Sequence, residues 1–335
     1  MPELRLNMIT REWVIVAKDK LKKPENFIKP DGKRKHPAYL DICPFCPGNE
    51  EKSPGEVYRI HDESGWKIRA ILNKFSILSQ NGERQRVNTG LKKSVNGVGI
   101  HEVVIDTPFH NQIMATMTVD HLKEVVQTFK ERMFALYEDP RVEYVIIFKN
   151  SGHDSGTPVE HSISQIVGMP ITPLEVRART ENQMRFFDDT GECLLCKTLS
   201  DELNDGLRVV CNTDHFLSFV PYAALSPFHL WVFPKRHSGT FTGIRSDEMW
   251  DLALNLKTTM AKVYYGLENP DFNFVLRSGR PSNCDSEYMH WYISLVPRVS
   301  TLTGFELGTG MFINPLAPEE SANFLRRVRI PEHAV

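Results

Sequence analysis

Four of the six cysteines fall in two pairs, Cys43-Pro-Phe-Cys46 and Cys193-Leu-Leu-Cys196. Two thiolates with two residues between them can grip one ion, and two distant histidines complete a tetrahedron. The chain supplies them in matched order. His110 and His161 follow the first pair, 51 residues apart, and His237 and His290 follow the second, 53 apart. A lone C-x-x-C could equally be a redox dithiol. The matched histidines favour two closed zinc sites per chain, of the kind that stabilises a fold and does no chemistry itself. Cys211 and Cys284 are singletons and read as small packing residues or idle thiols.

The elements that must position these ligands repeat as well. In the first half, Trp66 to Asn73 is strand-like and His101 to His110 is a strand bracketed by histidines. Leu122, Val125, Val126, Phe129, Met133 and Leu136 then recur at helical spacing between Val119 and Tyr137, opened by Asp120. Glu143 to Asn150 is the next strand, and a glycine-bearing loop leads to His161. The second half runs in parallel: a strand from His229 to His237, a helix from about Ser246, a strand from Phe272 to Arg277, and a loop to His290. Trp250, Leu252, Leu256, Met260 and Val263 are expected on the apolar side of that helix. His101 and His229, at strand starts, read as packing or hydrogen-bonding residues. A period of well over a hundred residues is too long for a solenoid and points to duplication of one unit. The expected architecture is α+β, an antiparallel sheet with helices packed on one side. Residues 1–175 and 185–335 form the two repeats, and the polar stretch from Ile171 to Thr190 is the connector.

Composition narrows the partners. With 335 residues, 41% hydrophobic and 24% charged, the chain can bury a proper core. Forty basic against 42 acidic residues give no general attraction to nucleic acid or anionic lipid. No apolar run approaches the roughly 18–20 residues needed to cross a bilayer, and the first residues do not read as a signal peptide. Cytoplasmic residence is the expectation, with the cysteine pairs as metal ligands rather than disulfides.

Several motifs carry a resemblance that covers most of the chain. Arg5-Leu-Asn7, Glu12-Trp-Val-Ile-Val16, Cys43-Pro-Phe-Cys-Pro-Gly-Asn-Glu50, Trp66-Lys-Ile-Arg69, Asn73-Lys-Phe75 and Phe148-Lys-Asn-Ser-Gly152 resemble successive motifs of the galactose-1-phosphate uridylyltransferase family, a branch of the histidine-triad superfamily. The run Gly304 to Pro315 is closer to the ADP-glucose phosphorylase-like branch. The resemblance implies paired histidine-triad half-barrels, a homodimer, zinc sites and nucleotidyl transfer. In the family a His-Pro-His-x-Gln loop provides a zinc ligand and then a histidine that attacks the α-phosphorus of a nucleotide sugar, giving a covalent intermediate. The glutamine and loop amides hold the phosphoryl oxygens.

Here the matching stretch is His161-Ser-Ile-Ser-Gln165. The resemblance makes His161 the ligand, Gln165 the phosphate partner and Ile163 the occupant of the nucleophile position. Pro158 stands where many relatives place a serine. The comparable stretch of the second repeat, His290-Trp-Tyr292, also lacks a second histidine. An aliphatic side chain can neither form a phosphoramidate nor carry a proton, and Ser162, Ser164 and His153 have no evident base to activate a substitute. By the same resemblance Asn73 and Asn150 contact base or ribose, and Gly152 and Gly156 admit backbone amides to phosphates. Phe305, Leu307 and Thr309 sit in the sugar-phosphate loop, across the dimer interface. Three readings follow: a direct-displacement nucleotidyltransferase or phosphorylase, a non-catalytic nucleotide-binding scaffold or sensor, and an active transferase trapped by an introduced isoleucine.

Overall fold

A computed structural model describes residues 1–16, 22–28 and 36–332. The strands are β1 (Glu3–Leu6), β2 (Trp13–Val16), β3 (Glu56–Asp62), β4 (Gly65–Leu72), β5 (Arg86–Thr89), β6 (Lys92–Val95), β7 (Ile100–Ile105), β8 (Tyr144–Ser151) and β9 (Ile163–Met169), then β10 (Val209–Asn212), β11 (Phe216–Phe219), β12 (Leu230–Pro234), β13 (Phe272–Arg277), β14 (Tyr292–Pro297) and β15 (Phe312–Asn314). The α-helices are α1 (Val119–Tyr137), α2 (Leu174–Thr190), α3 (Leu194–Asp205), α4 (Ser246–Gly266), α5 (Gly304–Thr309) and α6 (Pro318–Arg327).

Ten strands form one sheet in the order β10-β11-β12-β14-β13-β8-β9-β7-β4-β3. The order reads alike outward from the central β8–β13 pair. β9, β7 and β4 on one side answer β14, β12 and β11 on the other. β8 and β13 are antiparallel, with Asn150 opposite Asn273 and Ile147 opposite Leu276. The duplication thus yields one uninterrupted sheet, not a closed barrel.

Alternation along each strand decides what each face meets. Val145 and Ile147 of β8, Phe272, Phe274 and Leu276 of β13, and Leu230 and Val232 of β12 turn toward α1 and α4. α1 spans the residues the spacing predicts. Thr118 caps it, its hydroxyl accepting from the amide of His121 at 3.2 Å. Leu122, Val125, Val126, Phe129, Met133 and Leu136 are all buried, each contributing roughly 1.5–3 kcal/mol. In α4 the buried stripe is Met249, Leu252, Ala253, Leu256, Met260 and Val263. Trp250, expected on that side, is 44% exposed, one residue off the i, i+3, i+4 rows.

The two long helices share a face, as the pattern predicts. The shorter α3 packs on the opposite face, its Leu194, Leu195 and Leu199 against Leu217, Phe219, Trp231 and Phe233. The connector proves to be the helix α2, closed by Gly191 at φ 73°. The first residues return to the far half: β2 pairs with β15, and Asn7 bonds the carbonyl of Ala223. Among the described residues no helix is long and apolar enough to cross a membrane.

Candidate functional site: two Cys/His sets and the cleft beside the first

Cys43, Cys46, His110 and His161 come together, buried, with their ligating atoms within 4.8 Å of one another. Nδ1 of His161 lies 3.6 Å from the Cys43 sulfur and 3.8 Å from that of Cys46, and Nδ1 of His110 lies 3.6 Å from Cys46. An ion held at about 2.0–2.3 Å by a tetrahedron of such ligands would keep them roughly 3.3–3.8 Å apart. The donors fit a single ion of that size. The second set, Cys193, Cys196, His237 and His290, gathers in the same way, with Cys196 3.3 and 3.4 Å from the two imidazoles.

Each ring is aimed from behind. Nε2 of His161 donates to the carbonyl of Thr107 at 2.8 Å, that of His237 to Ser286 at 2.8 Å, and that of His290 to Pro234 at 3.1 Å. Those bonds leave each Nδ1 to ligate. His110 differs. Its buried Nε2 has no hydrogen-bond partner, and the nearest polar group is the Glu160 carboxylate at 3.8 Å, itself held by His36 at 3.1 Å.

Protonation follows from the surroundings. Burial, reinforced by Cys46, pushes the Cys43 thiol up to about 11, so the pair needs a cation to hold both sulfurs as thiolates. Burial pushes His161 down to about 4 and keeps its ring neutral, the ligating form. In the second set the sulfur–sulfur hydrogen bond holds Cys193 down and Cys196 up.

Two-residue periodicity on β9 places His161, Ile163 and Gln165 in one row. Oε1 of Gln165 lies 2.9 Å from Nε2 of His101, and the Asn73 amide stands 3.0 Å from the same ring nitrogen. The amide of Ile77 donates toward Nδ1 of His101 at 3.4 Å. Burial holds His101 below its ordinary range, neutral. His101 is a hydrogen-bonding residue, one of the two roles its place at a strand start suggests. The bracketing of its strand by histidines marked it, but only the β7–β9 register, with Val103 opposite Gln165, reveals its partner.

Ile163 is 8% exposed and packs with Trp66, Ile71, Val103 and Ile105. Below its backbone lies a buried polar knot. Nζ of Lys149 contacts Asp106 at 2.7 Å, the Ser162 hydroxyl at 2.8 Å and the Ile163 carbonyl at 2.9 Å. Ser164 bonds the same Asp106 oxygen at 3.1 Å. Both serines are thus engaged under the sheet.

At the end of β8, Asn150 accepts from Asn273 at 2.8 Å. Gly152 and Gly156 flank a short turn at φ 87° and 93°. A Cβ on Gly152 would stand 1.9 Å from an Asp271 oxygen, so only glycine fits there. Asn73, Gln165 and His101 meet directly, and Asn150 with its glycine loop closes the neighbouring strand end. Phe305, Leu307 and Thr309 are not drawn in. They lie on α5, where Phe305 and Leu307 are exposed and the Thr309 hydroxyl donates to the Phe305 carbonyl and accepts from the Met311 amide.

Comparisons with known proteins match the chain over nearly its whole length. The family model described as galactose-1-phosphate uridyl transferase, N-terminal domain, matches residues 1–173, and the model of its C-terminal domain matches residues 179–332. The chain is 32% identical over 334 residues to an ADP-glucose phosphorylase of Arabidopsis thaliana, covering 98% of this chain and 93% of that protein. It is 28% identical to a galactose-1-phosphate uridylyltransferase of Thermotoga maritima, covering 98% and 99%. A solved structure of an ADP-glucose phosphorylase from Arabidopsis thaliana with bound ADP-glucose matches with a TM-score of 0.82 and 29% identity, over 99% of this chain and all of that one.

Proposed function

Because the chain belongs to the galactose-1-phosphate uridyl transferase family, we propose that it binds two zinc ions and a nucleotide sugar and does so without a covalent nucleotidyl-histidine step. The zinc reading rests on the ligand spacings. Four protein donors surround each position with none left open, which suits structural ions that hold the loops of Cys43, His110 and His161 together. Residence in a reducing compartment such as the cytoplasm belongs to the same proposal, since the cysteine pairs are read as metal ligands.

The observation that carries the nucleotide reading is the Asn73–His101–Gln165 cluster standing in the same row as Ile163. With its carbonyl engaged by His101, Gln165 is oriented to offer its amide N–H groups to a phosphoryl oxygen. Asn73 and Asn150 would take the base and ribose, and Gly152 and Gly156 would let the loop approach the phosphates. The bound ADP-glucose named for the Arabidopsis relative favours a ligand of that class. In this reading the attacking imidazole is replaced by Ile163, so any transfer would require direct displacement by a second phosphate. The exposed Phe305 and Leu307 would cover the cleft of a partner subunit in a homodimer, and the two repeats would divide near residues 175–185.

Calorimetry with ADP-glucose and UDP-glucose tests the binding. Micromolar association is expected, and no heat with either sugar would overturn it. Radiolabelled nucleotide sugar with phosphate or a hexose 1-phosphate tests for chemistry. Turnover no greater than that of Ile163→Ala would leave a non-catalytic nucleotide-binding scaffold or sensor as the function.

A further inference from the structure

The C-terminal repeat holds its own copy of the cleft, with altered chemistry. Asn150-Ser151-Gly152 closes β8, and Arg277-Ser278-Gly279 closes β13. The row His161, Ile163, Gln165 is answered by His290, Tyr292, Ser294. The His101–Gln165 contact of 2.9 Å is answered by His229–Ser294 at 2.8 Å. An arginine therefore stands where the first repeat has Asn150.

A cavity of about 50 Å³ opens at this second position. Arg277, Tyr292 and Tyr144 line its floor, and α2 lays Arg179, Thr180 and Gln183 over it. No carboxylate lines it. Nη1 of Arg179 is buried with no hydrogen-bond partner, and its Nη2 reaches only an exposed Glu175 at 3.5 Å. The half-buried side chain of Arg277 makes no hydrogen bond or ion pair among the described residues.

Other buried and half-buried arginines behave differently. Arg69 meets Glu56, Arg132 meets Glu102, Arg208 meets Glu202 and Arg236 meets Glu248, each at 2.5–3.0 Å. Two guanidinium groups facing one half-open space without an acid repel each other unless an anion joins them. Their planar donor forks match phosphate oxygens.

We propose that this cavity binds a phosphate group, either free phosphate or the phosphoryl end of a small phosphorylated metabolite, between Arg277 and Arg179. The space continues outward into a groove of about 260 Å³ that shares Tyr144, Thr180 and Gly279 and carries Arg177, Glu181 and the pair Arg280–Glu143. That groove has room for a sugar attached to the phosphate. The site is separate from the first cleft and does not depend on what that cleft binds.

The test is phenylglyoxal labelling of the full chain, mapped by mass spectrometry at constant ionic strength. Millimolar phosphate should slow labelling of Arg179 and Arg277 at least fivefold, and chloride should not. Protection by glucose 1-phosphate at lower concentration would assign the occupant as a phosphorylated sugar; equal protection would assign phosphate alone. Gln165→Ala should retain the protection, whereas Arg277→Gln, with unchanged metal content, should bind phosphate at least about tenfold more weakly by calorimetry. Labelling indifferent to phosphate, equal slowing by chloride, or protection lost in Gln165→Ala would overturn the proposal. The wild-type labelling decides the matter if Arg277→Gln does not fold.

Discussion

Nζ of Lys149 lies 2.7 Å from Oδ2 of Asp106, both side chains at most 2% exposed, directly beneath the backbone of Ile163. Removing one member of a buried pair strands the other charge. Lys149→Met is expected to lower stability by about 3–5 kcal/mol. The double variant Lys149→Met, Asp106→Leu should lose less than the two single changes combined. Urea denaturation of the four proteins checks this, and strict additivity would mean that the pair does not act as a unit.

Metal content gives the second expectation. Cys43→Ser and Cys193→Ser should each lose one of two zinc equivalents per chain, read by elemental mass spectrometry. Chelation of both ions should lower the melting temperature, since their binding free energy is also folding free energy.

Glu160 is expected to support His110 from outside the four-ligand set. A carboxylate behind a ligating imidazole orients the ring and raises its basicity, and Glu160 is the nearest polar group to that Nε2. Glu160→Ala should weaken zinc at the first site by roughly 10–100-fold and leave the second unchanged. Competition with a chromophoric chelator reads both affinities.

Placing histidine at position 163 should restore little or no nucleotidyl transfer. The side chain would enter an apolar patch of Trp66, Val103 and Ile105, and Pro158 upstream offers neither hydroxyl nor N–H to a phosphate. Intact-mass measurement after incubation with UDP-glucose or ADP-glucose should find no stable adduct. A full equivalent of nucleotidylated Ile163→His would mean that the rest of the site is intact.

His229 gives stability a pH dependence of known sign. Burial first, then the charges of Arg277 and Arg179, hold it down to about 3, below an unfolded value of about 6.5. The ring stays neutral in the fold while the unfolded chain takes up the proton. Its contribution is complete above about pH 6.5 and is lost as pH falls from there toward 3. Between pH 7.5 and 5 the wild type should lose roughly 2 kcal/mol more than His229→Gln. Equal losses would mean that the ring titrates as it does in water.

Features carried by local spacing could be read in the sequence. α1 begins and ends where its apolar rows do, and both Cys/His sets assemble as their matched order implies. What escaped was set by long-range pairing or by weak amphipathicity. Of the residues of α2 only Gln183 is buried, so a helix looked like a polar connector. Trp250 matched the helix in composition but not in phase. The partners of His101 and His229 depend on strand register across 64 and 65 residues, which no local pattern encodes. Arg277 reads as an ordinary strand end until the mirrored strand order makes it the second repeat's counterpart of Asn150.

The central β8–β13 pair carries one more consequence. If the chain were cut within α2, each half would expose a long, hydrophobic, unprotected edge. Two copies of one half, joined edge to edge in antiparallel fashion, would restore a similar sheet. The intact polypeptide is in that sense a dimer closed by its own backbone, and the tether that closes it is the helix roofing the second cleft. Because the halves are joined in one molecule, they can differ, one with asparagine at its strand end and the other with arginine, while the sheet they share stays whole.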